Sequence, residues 1–162
     1  LDNFESLPQP VFPSSITLRK EKDITDLTDY VAVYNEVFRD AFEFELRTEE
    51  KVRDFFDQMQ KVLDIEHCFA FKGNKLVGMC YISNDPKEKV TGTINSLGVL
   101  SSYRHLGIGG ALLAFGIQSL YEKGCKMIEL SVMANNERAL ALYKKFVFYE
   151  LKLRTQRIYT IK

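Results

Sequence analysis

Three glycines in one short stretch, Gly107, Gly109 and Gly110, give the clearest chemical signal in the sequence. They follow a short apolar run that ends at Leu100, which predicts a strand, and they precede apolar residues that recur at a helical interval. Glycine lacks a Cβ atom and reaches positive φ, so a ligand can approach the main chain of such a turn closely. The first N–H groups of a helix lack internal acceptors and the helix dipole is positive there. The pattern therefore predicts a phosphate or pyrophosphate site.

The same glycines also have a structural interpretation, in which they only form a tight turn between a strand and a helix. Arg104, which precedes the first of these glycines, adds a permanent positive charge and favours the anion site. A nucleotide-binding protein is disfavoured, because the stretch has no Gly-Lys-Ser/Thr ending and no acidic residue placed as in a dinucleotide fold.

Two further motifs extend this signal. The segment Leu97-Gly98-Val99 precedes Arg104-x-x-Gly107-x-Gly109, and later the chain reads Asn136-x-x-Ala139-x-x-Leu142-Tyr143. Together these motifs resemble the acetyl-CoA site of the GNAT superfamily of N-acetyltransferases, and the resemblance covers roughly residues 15–162. It implies that the loop after the fourth strand holds the pyrophosphate and that the strand's backbone pairs with the pantetheine arm. It also implies that a tyrosine on the following helix faces the thioester sulfur.

Transferred residue by residue, the resemblance implies that acetyl-CoA, as a co-substrate, contacts the end of a strand, the glycine loop and the last helix. The implied cofactor-binding residues are Leu97, Gly98, Val99, Arg104, His105, Leu106, Gly107, Ile108, Gly109, Gly110 and Asn136. Asn136 also suits the N-cap of the last helix, as residues 23–26 suit that of the first helix and Thr48 that of the second. No metal is expected, because neither His67 nor His105 lies beside a second ligand at metal-binding spacing.

Tyr143 is the first candidate catalytic residue, because the resemblance places it opposite the thioester sulfur. A phenol has a reference pKa of about 10 and a thiol about 8.5, so complete proton transfer to the leaving thiolate is uphill. Donation of a hydrogen bond to the developing negative sulfur avoids that cost. The alternative interpretation is that Tyr143 is one more core aromatic residue at helical spacing.

Glu129 is the second candidate catalytic residue, as the general base that takes a proton from the acceptor amine. Strand alternation places it on one face with Met127 and Ser131. In several family members the glutamate base aligns with Ser131 instead, and Glu129 then has only the role of a solvated surface residue.

Two other segments bear on the acceptor. Asp40, Glu43 and Glu45, in the loop between the first two helices, either attract a cationic acceptor or only face solvent. The chain also departs from the family near its end, where Val147 precedes Phe148 and the family often has glycine. Valine disfavours positive φ, so this turn is expected to differ from that of the family.

The order of the predicted strands and helices indicates a mixed α/β fold. It has a mostly antiparallel sheet of about seven strands, about four flanking helices and one parallel βαβ unit. Strand 94–100, helix 109–123 and strand 127–133 form that unit, joined by a right-handed crossover. A linker or tail is predicted over residues 1–14, which hold three of the four prolines, and a single domain over 15–162. The other predicted elements are strands 15–19, 67–71, 76–83, 148–153 and 156–161 and helices ending at Phe38, Leu63 and Lys145.

Composition limits the partners. Lys plus Arg equals Asp plus Glu, at 22 each, so no net charge attracts nucleic acid or an anionic membrane surface. There is no apolar run long enough for a membrane span, and no signal peptide. The three cysteines include no Cys-x-x-Cys pair, which suits a reducing, cytoplasmic location.

The sequence therefore predicts a cytoplasmic acetyl-CoA-dependent N-acetyltransferase that acts on a primary amine of a small molecule, a peptide or a protein. The alternative is a catalytically silent acyl-CoA-binding module, such as one half of a tandem acetyltransferase. The identity of the acceptor stays open at this point, as does the choice between a homodimer and attachment to another domain.

Overall fold

The computed structural model describes residues 8–9, 11–41, 44–88, 90–146 and 148–150. In this part of the chain five strands form one sheet: β1 Ile16–Glu21, β2 Asp64–Lys72, β3 Lys75–Asn84, β4 Thr91–Val99 and β5 Met127–Leu130. The α-helices are α1 Leu27–Phe38, α2 Glu49–Met59, α3 Ile108–Glu122 and α4 Glu137–Lys145. The chain divides into two compact units, Leu1–Ser131 with the sheet and α1 to α3, and Val132–Lys162 with α4.

The sheet confirms the predicted mixed α/β class. Its strands follow chain order; β1 to β4 pair antiparallel, and β4 and β5 pair parallel on either side of α3. The predicted βαβ unit is therefore present, although β4 starts earlier than predicted and β5 ends at Leu130 rather than at residue 133. Of the predicted closing pair, residues 148–150 lie in no strand, and residues 151–162 lie outside the described part of the chain.

Three predicted N-caps form and fix where helices begin. Asp26 accepts a hydrogen bond from the Asp29 N–H at 3.0 Å, and Thr48 Oγ1 accepts one from the Lys51 N–H at 3.3 Å. Asn136 Oδ1 caps α4 in the same way. Each bond satisfies an amide that has no partner inside its helix.

The end of α2 was predicted wrongly. The helix ends at Met59, and residues 60–63 form tight turns in which the Val62 N–H donates to the Met59 carbonyl oxygen at 3.1 Å. The chain enters β2 at Asp64, earlier than the predicted strand. Val62 and Leu63 extend the apolar pattern of the helix, but Val62 is 65% exposed and adds no buried helical face.

The helices cover both faces of the sheet. Ile82 in β3 packs toward Gly116 in α3, whereas the next residue back, Tyr81, packs against Phe56 in α2, with ring centroids 5.2 Å apart. Successive side chains of a strand point to opposite faces, so α3 lies on one face and α2 on the other. Tyr30 of α1 also packs against Phe56, at 6.1 Å, so α1 shares the face with α2.

An irregularity in β4 changes which residues face these helices. Met79 of β3 pairs with Gly98, but Tyr81 pairs with Asn95, so β4 contains one extra residue at this point. Ser96 lies there with φ 49°, in the left-handed region that non-glycine residues rarely adopt. Such a bulge bends a strand and re-aims the side chains that follow it.

The packing around β4 shows the effect of the bulge. Before it, Ile94 faces Gly116 of α3. After it, a Cβ atom on Gly98 would overlap Val37 of α1. Regular alternation would keep Ile94 and Gly98 on the same face of the sheet. The bulge therefore turns the residues that follow it to the opposite face.

Candidate functional site

The glycine loop links β4 to α3. Its main chain turns through two left-handed residues, His105 with φ 63° and Gly107 with φ 79°. The Arg104 Nε atom donates a hydrogen bond to the Val99 carbonyl oxygen at 3.1 Å, which ties the loop back to the end of the strand. The predicted cofactor residues from 97 to 110 thus form one continuous strand end, turn and helix start.

The first amides of α3 precede the hydrogen-bonded part of the helix. Within the described residues, the Ala111 N–H is the first in α3 to donate to a backbone acceptor, the Gly107 carbonyl oxygen at 3.0 Å. The amides before it have no acceptor inside the helix. Ile108 is 1% exposed and Gly110 is also buried, whereas Gly109 is half-buried and Leu106 is 43% exposed.

Part of the segment predicted as a tail lies against this loop. A Cβ atom on Gly107 would overlap the Val11 carbonyl oxygen, so glycine is required there both by the close approach and by its positive φ. The Ile16 N–H donates to the Pro13 carbonyl oxygen at 2.9 Å, which joins this segment to β1. Residues 1–7 and 10 lie outside the described part of the chain.

The edge of β4 next to β5 is partly free. Pairing between the two strands runs from Thr91 with Met127 to Ile94 with Leu130, and β4 continues to Val99. The backbone groups of residues 95–99 on this edge therefore have no partner in β5. Leu97, the first residue predicted to contact the pantetheine arm, lies in this free stretch.

The two candidate catalytic residues belong to different units. Glu129 in β5 is exposed and lies across from Thr93. Met127 is also exposed while Ile128 and Leu130 are half-buried, as the predicted alternation requires. Glu129 therefore lies on the predicted face, and its role as a base stays a prediction.

Tyr143 and Asn136 lie on α4. Tyr143 is buried, with its ring centroid 6.1 Å from that of Phe148, and its carbonyl oxygen accepts a hydrogen bond from the Phe148 N–H at 3.1 Å. Asn136 Oδ1 accepts a hydrogen bond from the Ala139 N–H at 3.1 Å, so the predicted N-cap is formed. Val147 lies outside the described residues, so the altered turn stays a prediction.

A cavity of about 100 Å³ opens between α1, α2 and the bulge of β4. Its walls are mostly aromatic, and its charged residues are both cationic. The lining residues are Tyr30, Tyr34, Arg47, Lys51, Val52, Phe55, Phe56, Tyr81 and Ser96. None of them was predicted as a site residue. The helical spacing of Tyr30 and Tyr34 indicated a buried face, but no signal in the sequence places Ser96 beside them.

Arg47 shapes the electrostatics of this cavity. Its guanidinium carbon lies 5.9 Å from the ring centroid of Tyr34. Burial raises the pKa of Tyr81 to about 12, and it raises the pKa of Tyr30 well above the usual range, while the charge of Arg47 partly opposes both changes. Both phenols therefore stay protonated at neutral pH.

The acidic residues of the first inter-helix loop do not line the cavity. Asp40 and Glu45 are exposed and absent from its walls, and Glu43 lies outside the described residues. The prediction that this loop attracts a cationic acceptor is therefore not supported by the described lining, which carries positive charge.

His67 lies in the core behind the cavity. It is 1% exposed and packs between Phe56, at 4.7 Å, and Phe69, at 5.6 Å between ring centroids. Neither ring nitrogen has a hydrogen-bond partner among the described residues. Burial lowers its pKa to about 4, so the ring is neutral at physiological pH.

Two further properties concern the described residues. They include no cluster of three or more histidine, cysteine, aspartate or glutamate side chains able to hold a metal ion. They also include no helix with both the length and the apolar character needed to cross a membrane.

Comparisons with known proteins place this geometry in a family. The sequence model of the acetyltransferase (GNAT) family matches residues 30–148. A mycothiol acetyltransferase from Streptomyces bingchenggensis is 29% identical over 151 residues, which cover 91% of this chain and 48% of that protein. An N-alpha-acetyltransferase from Sulfurisphaera tokodaii is 40% identical over 63 residues, 38% of each chain.

Solved structures share the fold. A putative acetyl transferase from Pyrococcus furiosus has a TM-score of 0.69 at 21% identity, over 89% of this chain and 99% of that one. An aminoglycoside acetyltransferase from an uncultured soil metagenomic sample, in complex with trehalose, has a TM-score of 0.68 at 19% identity. The match covers 91% of this chain and 97% of that one. The chain spans about half the length of the mycothiol acetyltransferase. Because the family model covers most of the chain, the protein belongs to the GNAT acetyltransferase family.

Proposed function

We propose that this chain transfers the acetyl group of acetyl-CoA to a primary amine of a small molecule, a peptide or a protein. The observation that carries the proposal is the free edge of β4 over residues 95–99, which ends in a glycine loop at the start of α3. Family membership supports acetyl transfer, and relatives bear the names mycothiol acetyltransferase and N-alpha-acetyltransferase.

The residues of the loop fit a cofactor pyrophosphate. The amides that open α3 lack acceptors within the helix, and Gly109 adds no side chain beside them. We assign the pyrophosphate to these amides and to Arg104, and the pantetheine arm to the backbone of residues 97–99. Asn136 Nδ2 is a further proposed contact.

The direction of β4 supports a proposed position for the acetyl group. The loop follows the strand, so a path along β4 away from the loop leads from Val99 back toward the bulge at Ser96. Ser96 also lines the aromatic cavity. We therefore assign this cavity to the acceptor amine.

Acetyl-CoA supplies the acetyl group in an activated thioester. In the transfer a C–N bond forms and the C–S bond breaks, while the amine loses a proton and the sulfur gains one. We assign to the Tyr143 hydroxyl a hydrogen bond to the departing sulfur, where negative charge develops. Glu129 is the proposed proton acceptor; because its side chain is exposed and outside the cavity lining, it would act through water.

One observation favours a second candidate, a silent acyl-CoA-binding module. The chain spans only 48% of the mycothiol acetyltransferase that it resembles, which is the share expected of one half of a tandem acetyltransferase. Two measurements separate the candidates: calorimetry of CoA binding, and release of free CoA from acetyl-CoA with a panel of amines. Binding together with amine-dependent release supports the enzyme. Binding without release by any amine contradicts the proposed transfer and supports the silent module.

A further inference from the structure

The charges of the aromatic cavity carry information about the acceptor. Arg47 and Lys51 are the charged residues among those that line it, and the described lining includes no carboxylate. An acceptor with several positive charges, such as a polyamine, would meet like charge at these walls. An acceptor with a negative group would meet opposite charge in a partly desolvated site, where the attraction is stronger than in water.

The main chain of Arg47 is held by two hydrogen bonds. Asn35 Nδ2 donates to the Arg47 carbonyl oxygen, and Asn35 Oδ1 accepts from the Arg47 N–H, both at 2.9 Å. The guanidinium lies over the ring of Tyr34, with 5.9 Å from its carbon to the ring centroid. The planar fork of a guanidinium matches the two oxygens of a carboxylate.

Neither cation of the cavity is neutralised within the described part of the chain. The ion pairs found there involve Lys20, Lys22 and Lys123 instead, on the side of the molecule where β1, β2 and α3 meet. Among the described residues, no carboxylate therefore forms an ion pair with Arg47 or Lys51.

We propose that the acceptor is a primary amine that also carries a carboxylate, which Arg47 binds with the support of Lys51. The inference rests on the proposed function, since it assigns a substrate class to that site. The cavity volume of about 100 Å³ suits a small ligand or the carboxylate end of a larger one. The amine points toward Ser96, at the bulge.

The same lining favours an α-amine over a lysine-like amine. A lysine amine with a reference pKa of about 10.4 is neutral about once in 2,500 molecules at pH 7, and an α-amine near 8 about once in ten. A cavity without a carboxylate in its described lining supplies little help with deprotonation. It therefore suits the amine that needs the least help, which is the α-amine of a short peptide.

The sharpest test measures binding of a product analogue, because an acetylated nitrogen removes differences in amine pKa. The probes are N-acetyl-L-leucine and N-acetyl-L-leucinamide, which differ in the carboxylate, titrated with saturating CoA present. A charge-assisted bond predicts that the acid binds roughly tenfold or more tightly than the amide. Arg47→Met should remove most of that preference without weakening the amide.

Matched variants keep this test decisive. Arg53→Met removes an exposed cation of α2 that does not line the cavity, and the preference should survive. Arg47→Met keeps its bonds to Asn35, because they use main-chain atoms, so the variant should fold. Lys51→Met should reduce the preference by a smaller factor. Equal binding of acid and amide by the wild type, or an unchanged preference in Arg47→Met, would overturn the inference.

Turnover separates this inference from the proposed function. Release of CoA is compared for L-leucine, L-leucinamide and spermidine. The quantity compared is the ratio of the CoA release rate with L-leucine to that with L-leucinamide. If CoA is released but this ratio is the same in the wild type and in Arg47→Met, the inference is overturned and the proposed function is not. A preference for the acid in binding, with no release by any amine, would support the carboxylate site and contradict acetyl transfer.

Discussion

Asn35 in α1 and Arg47 before α2 are joined by two hydrogen bonds of 2.9 Å, one to each main-chain group of the arginine. Arg47 directly precedes Thr48, the N-cap of α2, so these bonds fix the start of that helix against α1. They also set the position of the cation beside the aromatic cavity. One amide side chain thus links the packing of two helices to the charge of the proposed acceptor site.

Replacing Asn35 should therefore affect both stability and binding. Asn35→Leu keeps a similar volume but leaves two half-buried main-chain groups of Arg47 without partners, at a cost of about 1–3 kcal/mol. Urea unfolding measures that loss, and the preference for acid over amide should also fall. Stability within about 0.5 kcal/mol of the wild type would show that the two bonds have no structural role.

The buried histidine predicts a dependence of stability on pH. The pKa of His67 is about 4 in the folded protein against 6.5 as its ordinary value, so the unfolded chain binds more protons between these values. The stability associated with the neutral ring is complete above pH 6.5 and is lost as the pH falls toward 4. The difference between these two pKa values corresponds to roughly 3 kcal/mol of unfolding free energy.

His67→Phe isolates this effect, because phenylalanine stacks on Phe69 without titrating. Between pH 7 and pH 4 the variant should lose about 3 kcal/mol less unfolding free energy than the wild type. Asp64 also has a lowered pKa: partial burial opposes the change, but hydrogen bonds from Lys123 and Lys22 outweigh it. That contribution is common to both proteins and cancels. Parallel pH profiles would contradict the account of His67.

The sequence predicted the elements whose causes are local. Asp26, Thr48 and Asn136 are N-caps because their side chains satisfy nearby amides, and the βαβ unit follows from periodicity and glycine placement. The bulge at Ser96 was not predicted, because its left-handed φ is imposed by the pairing of β3 with β4 and serine carries no local signal for it. The cavity depends on that bulge and on α1 and α2, which both lie far from the bulge in the sequence.

Gly98 shows how the bulge changes the role of a predicted site residue. The resemblance assigns its backbone to the cofactor, and the structure adds that its missing Cβ makes room for Val37. Gly98→Ala should lower the unfolding free energy by about 1–3 kcal/mol through overpacking. Adding Val37→Ala should recover part of that loss, and a strictly additive double variant would show that the two residues do not couple.

The glycine loop can be tested without an acceptor. Gly109→Asp places a side chain and a negative charge where the pyrophosphate is expected, so CoA affinity should fall at least tenfold, about 1.4 kcal/mol. Gly73→Asp is the control: it adds the same charge in an exposed hairpin turn with φ 59° and no neighbour within 4 Å. Calorimetry should show a loss for the first variant alone. Unchanged affinity in Gly109→Asp would remove the cofactor from this loop.

The central claim is acetyl transfer with Tyr143 as the donor to the leaving sulfur, and single-turnover kinetics of Tyr143→Phe test it most directly. The substitution keeps the buried ring and deletes the hydroxyl, so CoA affinity should hardly change. A charge-assisted hydrogen bond made mainly in the transition state is worth roughly 1.5–3 kcal/mol, or about 10- to 150-fold in rate. With the best amine of the panel, the account predicts a fall of that size in the rate of the chemical step. A rate within about twofold of the wild type, with chemistry isolated from product release, would contradict it.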